Sequence, residues 1–545
     1  MLAALVLAVL PGPAGCRPQA AAPPPLGEAL LVIDTDLPVP ALAARLRVDL
    51  FTTGGTWYAA RDLALPNASD WPASFAVALV GGEAAKDVVV RLRAYPEAKV
   101  EDYRGYLFAD RPAVCNDATC ATASPHACCP LVVPQAPAPT NAPRLTVDGG
   151  ADVTPSTEPL PALAVDRLVL LHVQPGVAGQ ASILLAGACA GTMADLRDFT
   201  ILASCVDTEG ARVAVGATAL APVSPTAAAS MQGTFARTYA TPCTTPARPA
   251  SSWNGTPLHD DELCLPGGPF VFGARDGALG DPRDAVPERV AVLPSFLLDR
   301  YEVTVGRFRK AVAGGFTGGG SQPSLNDGPL GASTVDPNDV SLCTWSTAPL
   351  GREEFPVNCV TQQTARAFCV FDGGDLPTEA EWEYAASVAG RGHKTHFPWG
   401  DGTALPPSCS DVVYNRRQVA SSASLPACPL YGPSAVTFAD HDGGDVTPGP
   451  GPGVVDLGGN VNEWAIDTFA GLGANCWLAA PQTSPACTAP PSAAGPPIIP
   501  ADSSSLRGGF WEALPNNLLA VSRDARLGEQ ISTDTGFRCA RPGGA

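Results

Sequence analysis

Five short segments rich in glycine, aromatic residues and arginine constrain the fold more than any other feature of the chain. In order, they are residues 265–273 (LPGGPFVFG), 296–308 (FLLDRYEVTVGRF), 355–386, 398–401 (PWGD) with 456–464 (DLGGNVNEW), and 506–511 (LRGGFW) with 536–541 (GFRCAR). Glycine and proline account for 55 and 57 of the 545 residues. This content favours short helices and strands joined by ordered loops over a helical bundle.

Capping residues predict where the helices of this half begin. Residues 378–381 (TEAE) form a capping box, so a helix should start after the threonine. A preceding helix is predicted from Gln362 to Phe371, with Thr361 as its N-cap and Gly373 as its stop. Thr304 is the predicted N-cap of a third helix.

An alternative use of the same acidic residues is catalysis, with Glu379 and Glu381 as an acid and base pair. Two residues that are two apart on a helix point in different directions, so they do not share one substrate easily. The capping interpretation is therefore preferred.

In this order, the five segments resemble the formylglycine-generating-enzyme family, whose members are also called sulfatase-modifying factors. The resemblance covers residues 262–541. It implies a compact α+β fold that is related to the C-type-lectin fold, with little regular secondary structure and bound calcium. Proline- and glycine-rich insertions at 318–338, 446–453 and 479–502 are the predicted surface loops of this domain.

The family resemblance also implies which residues hold the calcium ion. Asp456 and Glu463 would bind through their side chains, and Gly459 and Val461 through their backbone carbonyls. Such hard oxygen donors are what calcium requires. The alternative is a purely structural turn that is stabilised by Asn460.

The last segment departs from the family at the positions of its oxidation chemistry. The oxidising enzymes carry a hydroxyl residue directly after the glycine pair, and then two cysteines that bind copper and the substrate thiol. Here Phe510 follows the pair, the matching cysteine positions are Ala513 and Leu518, and residues 511–527 contain neither Cys nor His. Because soft thiolates select Cu(I), copper is not expected, and no catalytic residue can be assigned.

Three arginines remain near these positions, and they have two interpretations. Arg507, Arg523 and Arg526 could bind an anionic ligand. Alternatively, they could form buried pairs that hold the fold together.

The first half of the chain has the pattern of an all-β region. Short β-branched runs such as residues 29–34 (ALLVID) and 88–93 (VVVRLR) are separated by turn residues. We expect a sandwich-like region, a proline-rich linker, a second β-rich region and a second linker; the predicted boundaries are 28–130, 131–143, 144–230 and 231–261. Whether the two β-rich regions form one sandwich or two is left open, and no catalytic constellation is recognised in them.

The N-terminus resembles an export signal. An apolar run from Leu2 to Leu10, too short to span a bilayer, precedes Pro13-Ala14-Gly15-Cys16. Residues 1–16 are therefore predicted to be a bacterial lipoprotein leader that ends at an acylated Cys16, with residues 17–27 as a tether. A plain secretory signal is the alternative. The lipoprotein interpretation predicts an outer-membrane or periplasmic location and a lipid anchor in the membrane.

The cysteine content is also typical of an exported protein. The chain has 17 Cys, which leaves 16 once Cys16 is set aside. Such local groups predict disulfides, although a metal site in the first group is a weaker alternative. The groups are Cys115 with Cys120, Cys128 and Cys129; Cys189 with Cys205; Cys359 with Cys369; and Cys476 with Cys487.

Together, these features predict a multidomain, exported bacterial lipoprotein whose second half is a non-catalytic domain of this family. That domain would bind an unknown protein or small-molecule ligand at the cell envelope. The formal charge of −19 makes nucleic acid an unfavourable partner. The alternatives are a divergent oxidoreductase of the formylglycine-generating type that acts on protein substrates, and a structural spacer.

Overall fold

A computed structural model describes most of both halves of the chain. The described residues are 27–96, 146–147, 151–152, 163–273, 285, 288–331, 340–401, 408–416, 427–437, 453–488 and 503–544, apart from positions 193, 195, 197–198, 208, 225–229, 473 and 478–480. The predicted leader with Cys16, the first cysteine group (Cys115 to Cys129) and the linker at 131–143 lie outside these ranges.

Two packed sheets form the N-terminal region. One sheet has the strand order β4-β1-β9 and the other β3-β2-β5-β8. Side chains from both sheets, among them Leu31, Val48 and Val90, are buried in one hydrophobic core. The strands are β1 Glu28–Thr35, β2 Arg45–Thr52, β3 Trp57–Ala64, β4 Ala73–Ala78, β5 Lys86–Tyr95, β6 Thr146–Val147, β7 Ala151–Asp152, β8 Val165–Val173 and β9 Ala178–Leu185.

Strands on either side of residues 97–162 share these two sheets. β5 pairs antiparallel with β8 along nine residue pairs, from Lys86↔Val173 to Ala94↔Val165. β1 pairs parallel with β9. Residues 28–96 and 163–185 therefore form one sandwich, which answers the question that the sequence left open.

A short connecting region follows the sandwich. Among the described residues, this region has one regular α-helix. Phe235 lies on that helix and is buried in the sandwich core. Its elements are β10 Ala203–Cys205, β11 Arg212–Ala214, α1 Thr234–Tyr239, β12 Ser252–Trp253 and β13 Thr256–Pro257.

The C-terminal region combines three small sheets with three helices in its described part. The sheet orders are β14-β17-β23, β15-β16-β19 and β21-β20-β18-β22. The strands are β14 Glu262–Leu265, β15 Gly268–Phe272, β16 Arg289–Leu293, β17 Phe296–Asp299, β18 Asn462–Thr468, β19 Gln482–Thr483, β20 Ser503–Arg507, β21 Arg523–Leu527, β22 Thr535–Gly536 and β23 Ala540–Pro542, and the helices are α2 Val305–Ala313, α3 Gln362–Phe371 and α4 Glu379–Ser387. This mixture of short elements agrees with the predicted α+β class.

The predicted helix caps are confirmed. The hydroxyls of Thr304, Thr361 and Thr378 each accept a hydrogen bond from the backbone N–H three residues on. At the last of these, Glu381 completes the capping box, because its Oε2 accepts from the Thr378 N–H at 2.8 Å. The alternative in which Glu379 and Glu381 act as an acid and base pair loses its basis, since the half-buried Glu381 carboxylate accepts hydrogen bonds within the cap.

Disulfides cross-link the described residues, mostly within short stretches of chain, and Cys369–Cys539 alone among them joins segments 170 residues apart. Cys189–Cys205 and Cys476–Cys487 form within the predicted groups. The grouping of Cys359 with Cys369 is wrong, since Cys359 pairs with Cys343 and Cys369 with Cys539. Helix α3 explains this, because it separates the two cysteines: Cys359 lies before its start at Gln362, and Cys369 lies in its last turns. The other two disulfides are Cys243–Cys264 and Cys409–Cys428.

No helix in the described part of the chain has the length and apolar character needed to cross a membrane.

Candidate functional site

The segment after the glycine pair folds tightly against its own backbone. Gly508 and Gly509 have positive φ angles of 96° and 73°. A side chain at Gly509 would place its Cβ 2.8 Å from the carbonyl oxygen of Asn517, so only glycine fits this close approach. Gly508 also accepts a hydrogen bond from the Gly459 N–H. The glycine pair thus connects residues 510–518 with the predicted calcium turn.

Ala513 and Leu518, the positions that match the family's cysteines, lie in an apolar cluster. Their side chains are 2% and 0% exposed and pack with aliphatic and aromatic neighbours. We call this set the 513/518 cluster; its buried members are Phe397, Val412, Tyr414, Cys428, Ala513, Leu518, Leu519 and Val521. Its buried sulfur belongs to Cys428, which forms a disulfide with Cys409, so the cluster offers no thiolate for copper.

The space beside this cluster is too small for a substrate. A cavity of about 20 Å³ lies between Gly508, Gly509, Phe510 and Asn517. That volume has room for about one water molecule. A peptide thiol has no place there in this conformation.

The three arginines that could either bind an anion or hold the fold together all have carboxylate partners. Arg507 Nη2 donates to Glu383 Oε2 at 2.5 Å. Arg523 donates through Nε and Nη2 to the two oxygens of Glu379, at 2.5 and 2.6 Å. Arg526 donates through Nη1 and Nη2 to Asp534, at 2.5 and 3.1 Å. These contacts favour the interpretation that the arginines hold the fold.

Electrostatics support this interpretation at Glu379. Burial by itself would raise the pKa of the Glu379 carboxyl, but the charges of Arg523 and Arg507 outweigh it and lower the pKa. The nearby Asp467 shows the opposite balance. Burial and the charge of Glu379 raise the pKa of Asp467 to about 7, although its oxygens accept from the Glu379 and Cys487 N–H groups.

The predicted calcium turn brings its residues together around buried carboxylates. Glu463 accepts hydrogen bonds from Arg538 Nε at 2.7 Å and Nη2 at 2.5 Å, and from Trp382 Nε1 at 2.9 Å. Glu302, which the sequence did not connect with this turn, accepts from Asn460 Nδ2 at 2.6 Å and Val461 N at 3.1 Å. These two contacts also show that Asn460 stabilises the turn.

The charges around this turn bear on the predicted calcium site. Burial, followed by the charges of Asp456 and Glu463, raises the pKa of Glu302 well above its usual value. Excess negative charge and oxygen donors are what a calcium ion stabilises. However, Arg538 already engages both oxygens of Glu463. No three Asp, Glu, His or Cys side chains among the described residues surround a common metal position, so backbone carbonyls would have to complete the site.

Comparison with known proteins identifies the family. Residues 250–542 match the model described as the sulfatase-modifying factor enzyme 1-like domain. This match spans more than half of the chain, so the chain belongs to that family, and the resemblance recognised in the sequence is confirmed.

Individual relatives match the same half of the chain. Serine/threonine-protein kinase Pkn1 of Chlamydia trachomatis is 27% identical over 288 residues, which cover 52% of this chain and 39% of that protein. This chain thus spans less than half the length of that relative. Formylglycine-generating enzyme of Thermomonospora curvata is 27% identical over 311 residues, 51% of this chain and 92% of that enzyme. Among solved structures, PvdO from Pseudomonas aeruginosa aligns with 55% of this chain and 100% of its own, at 19% identity and a TM-score of 0.35.

Proposed function

We propose that this chain is an exported protein whose family domain binds a ligand or a protein and does not oxidise thiols. One observation carries the proposal: the positions of the family's two cysteines are the buried Ala513 and Leu518, packed in an apolar cluster beside a cavity of about 20 Å³. Copper-dependent oxidation needs thiolate ligands and access for the substrate. Neither is offered by the 513/518 cluster.

The proposed location is the cell envelope of a bacterium. Six disulfides among the described residues are typical of a protein outside the cytoplasm. The lipoprotein-like leader supports an acylated Cys16 that would anchor the chain in the outer membrane or hold it in the periplasm.

A structural calcium ion is part of the proposal. Asp456 and Glu463 would bind it through side chains, and Gly459 and Val461 through carbonyl oxygens, which requires Arg538 to share the Glu463 carboxylate. Thermal unfolding with and without calcium tests this. We expect the melting temperature to rise with calcium, and the rise to disappear in Asp456→Ala. A melting temperature that calcium does not change would contradict the calcium site, and the pair of Glu463 with Arg538 would then account for the charge of this carboxylate.

A second candidate function is a divergent oxidoreductase of the formylglycine-generating type that acts on protein substrates. The match to 92% of the Thermomonospora curvata enzyme favours it, because the framework around the missing thiols is retained.

A peptide assay separates the two functions. The full chain would be incubated with a Cys-x-Pro-x-Arg peptide, copper and oxygen, with the Thermomonospora curvata enzyme as a positive control, and the product analysed by mass spectrometry. We expect the positive control to convert the thiol to an aldehyde and this chain to leave it unchanged. Conversion by this chain would establish the oxidoreductase and refute the binding proposal.

A further inference from the structure

A second cavity, a cleft of about 480 Å³, is built from residues that are distant in sequence from the 513/518 cluster. It is lined by residues 327–330, 350–352 and 355. Its volume is in the range of small-molecule sites. Residues 327–330 belong to the insertion at 318–338, which the sequence predicts to be a surface loop. The largest apolar side chains that line the cleft are Leu330, Leu350 and Phe355.

One cation lies in the wall of this cleft. Arg352 is only 4% exposed, and its hydrogen bonds go to neutral carbonyl oxygens. Nη1 donates to Asn326 O at 3.1 Å and Cys343 O at 3.3 Å, and Nη2 donates to Gly328 O. Burial lowers the pKa of Arg352, which the charge of Asp327 only partly offsets. The guanidinium is thus desolvated without a bonded carboxylate among the described residues.

This arrangement differs from that of three other buried arginines in the domain, whereas Arg289 resembles Arg352 in donating to a backbone carbonyl, that of Leu472. Arg307, Arg507 and Arg538 each form an ion pair with a buried or half-buried carboxylate. A buried charge without such a pair is costly. At Arg352, the Nε–H and one Nη2–H have no acceptor among the described residues. A guanidinium with donors left on Nε and Nη2 can bind a carboxylate.

The acidic group on the rim does not take up these donors. Asp327 accepts from Thr347 N at 2.7 Å and from Thr347 Oγ1 at 2.9 Å. Its carboxylate is therefore held by the neighbouring loop, and Arg352 remains the cation available to a ligand.

We propose that this cleft, the Arg352 cleft, binds a ligand that carries one carboxylate on a short apolar body. Arg352 would hold the carboxylate, while Leu330, Leu350 and Phe355 would contact the apolar part. A short fatty acid and a peptide C-terminus that ends in an apolar residue share this chemistry. The inference rests on the proposed binding function and names its ligand class.

Calorimetric titration of the full chain tests the ligand class with matched probes. Octanoate represents the fatty acid, and N-acetyl-alanyl-leucine represents the chain end. 1-Octanol and the amide of the same dipeptide are their neutral counterparts. We expect saturable binding of at least one acid, with its neutral counterpart weaker by about tenfold or more, since a charge-assisted bidentate contact is lost. Whichever acid binds identifies the source.

Substitutions locate the binding site. Leu350 is 45% exposed, so Leu350→Asp can fold, and its charge should weaken binding of the acid by about tenfold or more. Arg352→Lys retains the positive charge but removes the planar guanidinium, and it should also weaken binding of the acid. Ile201→Asp changes an exposed apolar residue between β9 and β10 and should leave binding unchanged.

Three results would overturn the proposal: no saturable binding of either acid, equal binding of the neutral counterparts, or binding that Leu350→Asp does not change. None of these results bears on the oxidation assay, so failure of the ligand class is distinguishable from failure of the non-catalytic function.

Discussion

The two halves of the chain reach a packed core in different ways. In the sandwich, the seven strands that build the two sheets are six to ten residues long and pair along most of their length. In the family domain, strands are two to seven residues long, and four disulfides lie between residues 343 and 539. Continuous sheet hydrogen bonding organises the first region, whereas cross-links and helix caps organise the second.

This difference suggests how each region tolerates change. A sheet spreads its stability over many equivalent contacts, while a loop-rich domain concentrates it in a few cross-links. The loops of the family domain can therefore diverge, as at the Arg352 cleft, while the cross-links keep the frame.

The largest expected effect comes from the disulfide that closes the longest loop. Cys369 and Cys539 are 170 residues apart, and Cys189 and Cys205 are 16 apart. Loop entropy predicts that replacing the first pair with alanine lowers the free energy of unfolding by about 5 kcal/mol, and replacing the second pair by about 3 kcal/mol. Chemical denaturation measures both. Equal losses would show that the two regions do not differ in their dependence on cross-links.

A buried ion pair is the device that both regions share. Arg523→Leu leaves Glu379 without its bidentate partner, and Arg91→Leu does the same to Asp166 in the sandwich. Each change should lower the free energy of unfolding by about 3–5 kcal/mol. Arg366→Leu is the control, because its pair with Asp375 is exposed and should contribute less than about 1 kcal/mol. A loss at Arg523 no larger than the control would contradict this account.

Two buried carboxyl groups, Asp467 in the family domain and Asp49 in the sandwich, should make stability respond to pH in opposite directions. The folded-state pKa of Asp467 is raised to about 7, so its contribution to stability is present below its unfolded pKa, near about 4, and is lost as pH rises to about 7. The slope is up to about 1.4 kcal/mol per pH unit. Denaturation of wild type and Asp467→Asn at pH values within this window should show the steeper decline in wild type. Parallel curves would refute the assignment.

Asp49 provides the opposing case in the sandwich. Burial favours its neutral form, but Arg93 and Arg47 outweigh burial and lower the pKa of Asp49. Its contribution is present above its unfolded pKa and is lost as pH falls through the lowered folded pKa. Asp49→Asn should therefore flatten the stability curve only in acid, below about pH 4.

The smallest expected effect is the loss of a helix cap. Thr378→Ala removes the hydroxyl that accepts from Glu381 N at 3.1 Å, and should cost about 1 kcal/mol. Thr378→Ser retains an acceptor and serves as the control. If the serine variant loses as much stability as the alanine variant, the methyl group and not the cap is what matters.

Local features of the structure followed from the sequence, whereas pairings over long distances did not. Thr361 and Thr378 were predictable because a cap acts within three residues. The partners of Cys369 and Arg523 lie 170 and 144 residues away, and spacing holds no information about such contacts. Cys359 was assigned to the wrong partner for a different reason: Cys343 is only 16 residues away, and spacing alone does not distinguish it from the nearer Cys369.

The candidate site follows the same division between local features and contacts over long distances. The absence of cysteine at positions 513 and 518 is visible in the sequence, but the burial of Leu518 depends on Phe397 and Val412 from other segments. The Arg352 cleft needs carbonyls from residues 326, 328 and 343 around one guanidinium. The only signal for it was the insertion at 318–338.

Thiol labelling at two adjacent positions tests the central claim, that the family's thiol positions have become part of a closed core. Asn517 is exposed and Leu518 is 0% exposed. Asn517→Cys and Leu518→Cys therefore place a thiol at neighbouring positions that differ in burial. Labelling of the native protein would be located by peptide mass spectrometry. We predict rapid labelling of Asn517→Cys, and labelling of Leu518→Cys only after unfolding. Equally rapid labelling of both would show an open site at residue 518 and would contradict the claim.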